Sequence, residues 1–486
     1  MTMRSGARSG PTQPDPTQPD PTRPGPVLDG HPADAADPAA LARLLGRRLT
    51  AVLGTEVSVP AATRLTGGAS RETWSFTAHP AAGPERRLVL RRDPPGAGRP
   101  DGMAREAAAI AGADGAGVPV PRLLDSGTDA ATLGAPYLIT EHVDGETIAR
   151  RLLRDPEYAA AREDMAAELG RTLARIHTVP VGTLPEPVAT DPLEELRATY
   201  DELGEPLPTI EIALTWLERH RPDPVPETLV HGDFRTGNLI IDPTGLRSVL
   251  DWEVVHRGDP REDLGWLCVK CWRFGSPLPA GGFGTVDQLL EGYAEVAGHR
   301  PDPEAVRWWQ IYGTARWAVG CRGMAERHLS GQTPSMELAA VGRRVCEQEH
   351  DVLLALGLPA DPVDTPDPAP GSDLHGRPTA AELVAAVAMF LREDVMTATE
   401  GRLNFLARVG ANTLDGVERE LLLGPELERR HGERLAAFAR GDQAGLAAAI
   451  RAGVLDADDP ALLAAVRAAV TDRLTVANPR YLDHPG

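Results

Sequence analysis

Apolar and polar positions change their period along the chain, and the changes divide it. The first stretch, MTMRSGARSGPTQPDPTQPDPTRPGP, repeats PTQPDP and holds almost no large apolar residue. Such a segment buries too little surface to offset the entropy of ordering it, so residues 1–35 are expected to form a disordered or polyproline-like tail. A helix is expected to begin near DPAALARLLGRRL, residues 37–49. From about 55 to 142 the pattern shortens to β-type runs. VSVPAATRLT, ETWSFTA and RRLVLRR show the alternation and branched residues of strands. TGGASR, from Thr66 to Arg71, is a glycine-rich turn between two of these runs. AREAAAIAGA, from Ala104, predicts a helix, and PYLITEHV, residues 136–143, predicts another strand.

Between about 146 and 356 the apolar spacing becomes three and four, as in MAAELGRTLARIH and AVRWWQIYGTARWAV. Two strand signals interrupt these helices: NLIID at 238–242 and SVLDW at 248–252, with a tight turn at PTG after the first. The octapeptide HGDFRTGN, residues 231–238, therefore falls on a loop between strand-like segments. A loop is where functional side chains concentrate. A linker rich in Pro and Asp follows, LPADPVDTPDPAPGSDLHGRP, and residues 378–486 then look wholly helical. Leu383, Val387, Phe390 and Leu391 share one helix face there.

At 486 residues the chain exceeds one ordinary core, and two or three domains are expected. Its apolar fraction of 42% and charged fraction of 25% are those of a soluble globular protein. A formal charge of -20 weighs against nucleic-acid partners, which it would repel, while leaving room for a nucleotide bound with Mg²⁺. No stretch has the apolar length to cross a bilayer, and the N-terminus lacks a signal peptide's apolar core, so the cytoplasm is the expected location. Cys268 and Cys271 form a CxxC, a spacing used by zinc and redox sites. No second pair follows at zinc-ribbon spacing, and LGWLCVKCW reads as a buried helix, so packing is their expected role.

HGDFRTGN alone is as compatible with a polar turn as with a catalytic loop. Phosphoryl transfer from ATP needs a group that orients the hydroxyl nucleophile, ligands for Mg²⁺, a cation on the phosphates and a loop covering them. Residue types for all four occur here in the order a kinase requires.

From about residue 60 to 330 the chain resembles the aminoglycoside phosphotransferase-like family of small-molecule kinases. The family pattern HGDxxxxN, then a hydrophobic strand ending in Asp, stands here as HGDFRTGNLIIDPTGLRSVLDWE, followed by GDPREDLGW. The resemblance implies an α+β, bilobal protein-kinase-like fold: a small β-rich N-lobe over 36–143 and a mainly helical C-lobe over 144–356. A linker over 357–376 and a separate all-α domain over 377–486 complete the expected organisation. Asp233 would receive or orient the hydroxyl proton, and Asn238 and Asp251 would hold Mg²⁺ against the ATP phosphates. His231 is expected to brace the loop, and Asp259 and Asp263 to cap the next helix or anchor the loop. Glu253 is expected to stand behind the metal ligands.

Arg235 sits where many protein kinases carry a Lys near the γ-phosphate. Its options are charge stabilisation in the transition state, a grip on a substrate anion, or plain solvation. LTGGASRETWSF resembles the nucleotide loop, in which Gly67 and Gly68 admit phosphate and Ser70 adds a donor. Arg91, in LVLRR, stands in place of the commoner Lys, with Glu106 as its expected partner. Arg92 would point to the opposite strand face. Main-chain groups of Glu141 to Val143 would meet adenine. The HGDFR form is similar to kinase domains joined to acyl-CoA dehydrogenases, and the last domain resembles an uncharacterised bacterial domain found after such kinases. The leading expectation is thus an ATP- and Mg²⁺-dependent phosphotransferase acting on a small-molecule hydroxyl, possessing every part a pseudokinase usually lacks. Antibiotic phosphorylation and a nucleotide-binding pseudokinase that recruits a partner are the alternatives. The sequence leaves the oligomeric state open.

Overall fold

The structure, a computed structural model, describes residues 37–65, 71–96, 98–184, 191–360, 362–369 and 376–483. The tail expected over residues 1–35 lies outside them. Helix α1 (Pro38–Leu53) comes first, with Asp37 accepting the N–H groups of Ala39 and Ala40. A sheet follows, made of β1 (Val57–Ser58), β2 (Ala62–Arg64), β3 (Glu72–Pro80), β4 (Arg86–Arg92), β5 (Leu123–Gly127) and β6 (Tyr137–Glu141). Its order is β1-β3-β4-β6-β5, with β2 also on β3, and every pairing is antiparallel.

Period-two alternation puts Trp74, Phe76, Leu88, Leu90 and Ile139 into one core with Leu41, Leu45 and Leu49 of α1. Burying each such side chain contributes about 1.5–3 kcal/mol. Helix α2 (Pro100–Gly115) carries Met103, Ala109 and Ile110 into the core of the following lobe. The run VSVPAATRLT is thus two short strands separated around Pro60, which has no N–H for a ladder. Strand β5 has no counterpart among the sequence expectations, because the prolines and the Asp-Ser-Gly of VPVPRLLDSG hide it.

The second lobe begins with α3 (Ala149–Arg154), α4 (Ala159–Ile176), α5 (Pro192–Glu202) and α6 (Pro208–Arg219). Two small antiparallel pairs follow. Strand β7 (Thr228–Val230) pairs with β10 (His256–Gly258), and β8 (Leu239–Asp242) with β9 (Gly245–Val249). Strand β9 stops at Val249, short of the expected 252, because Asp251 turns into the left-handed region with φ 67°. Helices α7 (Arg261–Leu267), α8 (Val286–Ala297), α9 (Pro303–Leu329), α10 (Met336–Gly342) and α11 (Val345–Ala355) complete the lobe. Trp308 and Trp309 belong to its core.

The C-terminal region is helical, as expected: α12 (Ala380–Phe390), α13 (Met396–Ala398), α14 (Gly401–Ala437), α15 (Gln443–Arg451) and α16 (Pro460–Ala477). Leu435, Leu446, Ile450, Val466 and Val470 share one core with Ile212 and Leu353 of the preceding lobe. Part of the linker also lies on α14, where the Ala369 N–H donates to the Leu422 carbonyl at 2.7 Å. The face of α12 marked by Leu383, Val387 and Phe390 is exposed, and Leu391 beyond the helix is half-buried. The helix instead turns Ala381, Val384, Ala385 and Ala388 inward, small side chains that let it approach α14 closely.

Candidate active site

Residues 231–238 leave β7 and enter β8 through a 3₁₀ turn at Thr236–Asn238. Burial alternates along the loop. His231, Phe234, Thr236 and Asn238 face inward, while Asp233 and Arg235 stay half-exposed. Asp263 of α7, fully buried, accepts the backbone N–H groups of His231 (2.8 Å) and Gly232 (2.9 Å) and also bonds His177 at 3.2 Å. Burial alone would raise the Asp263 carboxyl, but His177, His231 and the backbone donors hold it below the usual carboxylate range. Asp263 therefore anchors the loop, and Asp259 meets the first N–H of α7 at 2.9 Å.

Gly232 has φ 78°, and a Cβ there would lie 2.8 Å from the Val254 carbonyl oxygen, so only glycine fits. The His231 Nδ1 accepts the Asp233 N–H at 3.2 Å, leaving its Nε2–H to donate to the Leu250 carbonyl at 3.1 Å. Burial lowers the His231 pKa despite three nearby aspartates, which keeps the ring neutral. Its place is that of a brace.

Three donors fix the Asp233 carboxylate. Oδ1 accepts Arg235 Nε at 3.0 Å and Trp266 Nε1 at 2.9 Å, and Oδ2 accepts Asn238 Nδ2 at 2.6 Å. A carboxylate has about four acceptor positions, so a lone pair on Oδ2 stays available to a hydroxyl. The Arg235 guanidinium lies 4.6 Å from the Trp272 ring centroid, held by ring and carboxylate rather than left to solvent.

On the opposite side of the cleft, Arg91 uses both arms of its fork. Nη1 donates to Glu106 Oε1 at 2.6 Å and Nη2 to Asp251 Oδ1 at 2.7 Å. The Arg91–Glu106 pairing expected from sequence is present, and the contact to Asp251 ties the two lobes together. Burial would raise the Asp251 carboxyl, but the charge and hydrogen bond of Arg91 bring it below its ordinary value. Glu106 also receives Arg71, whose Nε donates to Asp93 at 3.0 Å and lies 3.9 Å from Glu253. Arg92 stands directly across the sheet from Glu72 and bonds it at 2.7 Å on the face away from Arg91.

Gly67, Gly68 and Ser70 lie outside the described residues. Glu141 ends β6, its carboxylate bonded to Arg86 and its N–H to the Arg122 carbonyl, and Val143 is half-buried two residues on. Among the described residues no three His, Cys, Asp or Glu side chains converge as a metal site. Two oxygen ligands with phosphate and water completing the shell suit Mg²⁺, and the donors fit that pattern. The Asn238 amide nitrogen is spent on Asp233, which leaves its oxygen for a cation, and Asp251 is a partly exposed carboxylate.

Sequence reasoning missed Arg71 and Trp266. Arg71 is the last residue of TGGASR, and an Arg just before a strand with Glu and Asp partners elsewhere carries no local signature. Trp266, in LGWL, reads as core, and its indole N–H is what matters. Cys268 and Cys271 are buried free thiols, and burial raises the first to about 12 and the second well above its ordinary value.

Among curated proteins, the chain is 29% identical over 289 residues to acyl-CoA dehydrogenase family member 10 of Mus musculus, covering 53% of this chain and 26% of that protein. Family member 11 of Rattus norvegicus is 25% identical over 382 residues, 71% of this chain and 47% of that protein. The chain therefore spans less than half the length of either. An aminoglycoside 3'-phosphotransferase of Streptomyces fradiae is 28% identical over 217 residues, 40% of this chain and 72% of that protein. A crystal structure from Ralstonia eutropha, provisionally named an aminoglycoside phosphotransferase, aligns with a TM-score of 0.50 at 21% identity, covering 65% of this chain and 98% of that one. That likeness shows the kinase-like fold. Residues 397–481 match the model of a domain of unknown function, DUF6285. Residues 61–309, slightly more than half of the chain, match the model of the phosphotransferase enzyme family, and the chain belongs to that family.

Proposed function

We propose that this protein is an ATP- and Mg²⁺-dependent phosphotransferase of the cytoplasm that phosphorylates a hydroxyl of a small molecule. The observation that carries the reading is the Asp233 carboxylate, held by Arg235, Trp266 and Asn238 with one oxygen lone pair still available. Asp233 orients the acceptor hydroxyl and takes its proton as the oxygen bonds to phosphorus and ADP departs. Asn238 and Asp251 would hold Mg²⁺, which supplies charge neutralisation on the phosphates when bound. Arg91, held by Glu106 and Asp251, would bring a guanidinium to the same phosphates. Gly67, Gly68 and Ser70 would cover them, and the backbone of Glu141 to Val143 would receive adenine.

The likeness to acyl-CoA dehydrogenase family members favours a hydroxylated acyl compound or another catabolic acceptor. The Streptomyces fradiae relative brings the antibiotic reading. Against it, a cationic Arg235 beside the base suits a neutral or anionic acceptor better than a polycationic aminoglycoside. The formal charge of -20 supports the absence of a nucleic-acid partner.

The test is ADP formation across hydroxyacyl compounds, sugars and aminoglycosides. Asp233→Asn is expected to lower turnover by about 10²–10⁴ while nucleotide binding persists. Equal ADP formation by wild type and variant with every acceptor would remove the kinase reading.

A further inference from the structure

Helix α11 contains an unusual run. Glu347, Gln348, Glu349, His350 and Asp351 are consecutive, polar and all no more than 4% exposed. Polar groups buried without partners are costly, and for four of these five the C-terminal region supplies one. Asn478 donates to Glu347 at 2.9 Å, Arg473 to Glu349 at 2.8 Å, Arg467 to His350 Nδ1 at 3.1 Å and the Tyr481 hydroxyl to Asp351 Oδ2 at 2.6 Å.

The last of these contacts leads back to the active site. Asp351 Oδ1 holds Lys270 Nζ at 3.1 Å, and the same ammonium lies 4.1 Å from the Tyr481 ring centroid. Lys270 opens the single 3₁₀ turn Lys270–Arg273, which also carries Trp272. The Trp272 ring stands between Trp266 (5.3 Å) and Trp317 (5.1 Å) and beneath Arg235 (4.6 Å). Trp266 and Arg235 are two of the three donors to Asp233.

We propose that the C-terminal helical region is a positioning element of the phosphotransferase site: Tyr481, acting through Asp351 and Lys270, fixes the turn bearing Trp272 and thereby the placement of Arg235 beside Asp233. The functional weight of this arrangement rests on the role given to Arg235 above. Tyr481 touches no reacting group. Its hydroxyl and its ring each hold one member of a single ion pair in the preceding lobe, Asp351 and Lys270. A region that only docked on the lobe would need the contacts to Glu347, Glu349 and His350 and nothing at Lys270.

The test uses hydrogen exchange of the full chain and does not depend on knowing the acceptor. Tyr481→Ala is expected to speed exchange about tenfold in residues 268–275 and 231–238, with β3 and β4 unchanged. Tyr481→Phe keeps the ring over Lys270, so it should give a smaller change and serves if the alanine variant folds poorly. Lys270→Met should reproduce the effect, and combining it with Tyr481→Ala should add little, because both cut one path. Faster exchange confined to 345–355 and 479–483, or fully additive effects, would overturn the proposal. ADP formation by Arg235→Ala separates the two readings. Unchanged turnover there, with the exchange coupling intact, would strike the role of Arg235 and leave the structural relay standing.

Discussion

Glu106 is fully buried and faces two guanidinium groups, Arg71 and Arg91, with one oxygen each. Glu106→Gln keeps the shape and removes the charge, and it turns an amide N–H toward groups that can only donate. The two pairs differ in burial. The Arg71 side chain is 3% exposed, whereas that of Arg91 is 24% exposed and keeps Asp251 as a second partner. Breaking a buried pair costs about 3–5 kcal/mol. Arg71 retains Asp93, itself buried, which places the loss near the lower end, at roughly 3 kcal/mol. The partly exposed Arg91 pair adds at most about 1 kcal/mol. At roughly 2–4 °C per kcal/mol for a unit of this size, the melting temperature should fall by roughly 6–16 °C in a calorimetric scan.

Double-mutant cycles then divide the loss between the two arginines. Arg71→Met with Glu106→Gln should show the larger coupling energy, and Arg91→Met with Glu106→Gln the smaller. Arg91→Met alone should cost no more than about 1 kcal/mol of stability while ADP formation falls. A fall in melting temperature below about 2 °C for Glu106→Gln would refute the estimate. A larger coupling for Arg91 than for Arg71 would refute its basis, the proposed division of labour in which Arg71 holds the lobe together and Arg91 would serve the phosphates.

Two further outcomes are expected. Asp263 has a folded-state pKa below its unfolded value, so its contribution to stability is complete above the unfolded pKa and is lost as pH falls through the folded one. The melting-temperature gap between wild type and Asp263→Asn should therefore stay constant from neutral pH to about 5 and close below about 4, the ordinary Asp value, and a gap that widens on acidification would contradict this. All four cysteines are buried, and burial raises the Cys268, Cys321 and Cys346 thiols to about 12, so an aromatic disulfide reagent at pH 8 should label them only after denaturant is added. Fast labelling of Cys268 or Cys271 in the native protein would mean that the CxxC does more than fill the core.

The parts of the site that were legible in the sequence are those whose chemistry needs fixed spacing on one segment. Asp233 and Asn238 sit five residues apart because one loop must present both, and their mutual bond at 2.6 Å is local. Arg91 and Glu106 were readable because a strand and the next helix are close in the chain. Arg71 and Trp266 act through hydrogen-bond partners 22 to 35 residues away, and spacing of that kind follows from the fold alone. The stripe on α12 shows the limit of periodicity. Leu383, Val387 and Phe390 do share a face, yet that face is exposed, and Ala381, Val384, Ala385 and Ala388 turn inward instead.

Arg91 shows what the replacement of the usual Lys means physically. A lysine offers one compact charge, and its strongest contact would go to either Glu106 or Asp251. The guanidinium divides between them at 2.6 and 2.7 Å, one carboxylate from a helix packed on the sheet and one from the turn after β9. Arg91 therefore joins lobe closure to the electrostatics of Asp251, the carboxylate that a cation would share. Arg91→Lys keeps the charge and loses the fork, so it separates these two roles: phosphate attraction should survive and the tie between the lobes should weaken. The substitution counts as conservative by charge alone, and the geometry shows why it is not conservative in this cleft.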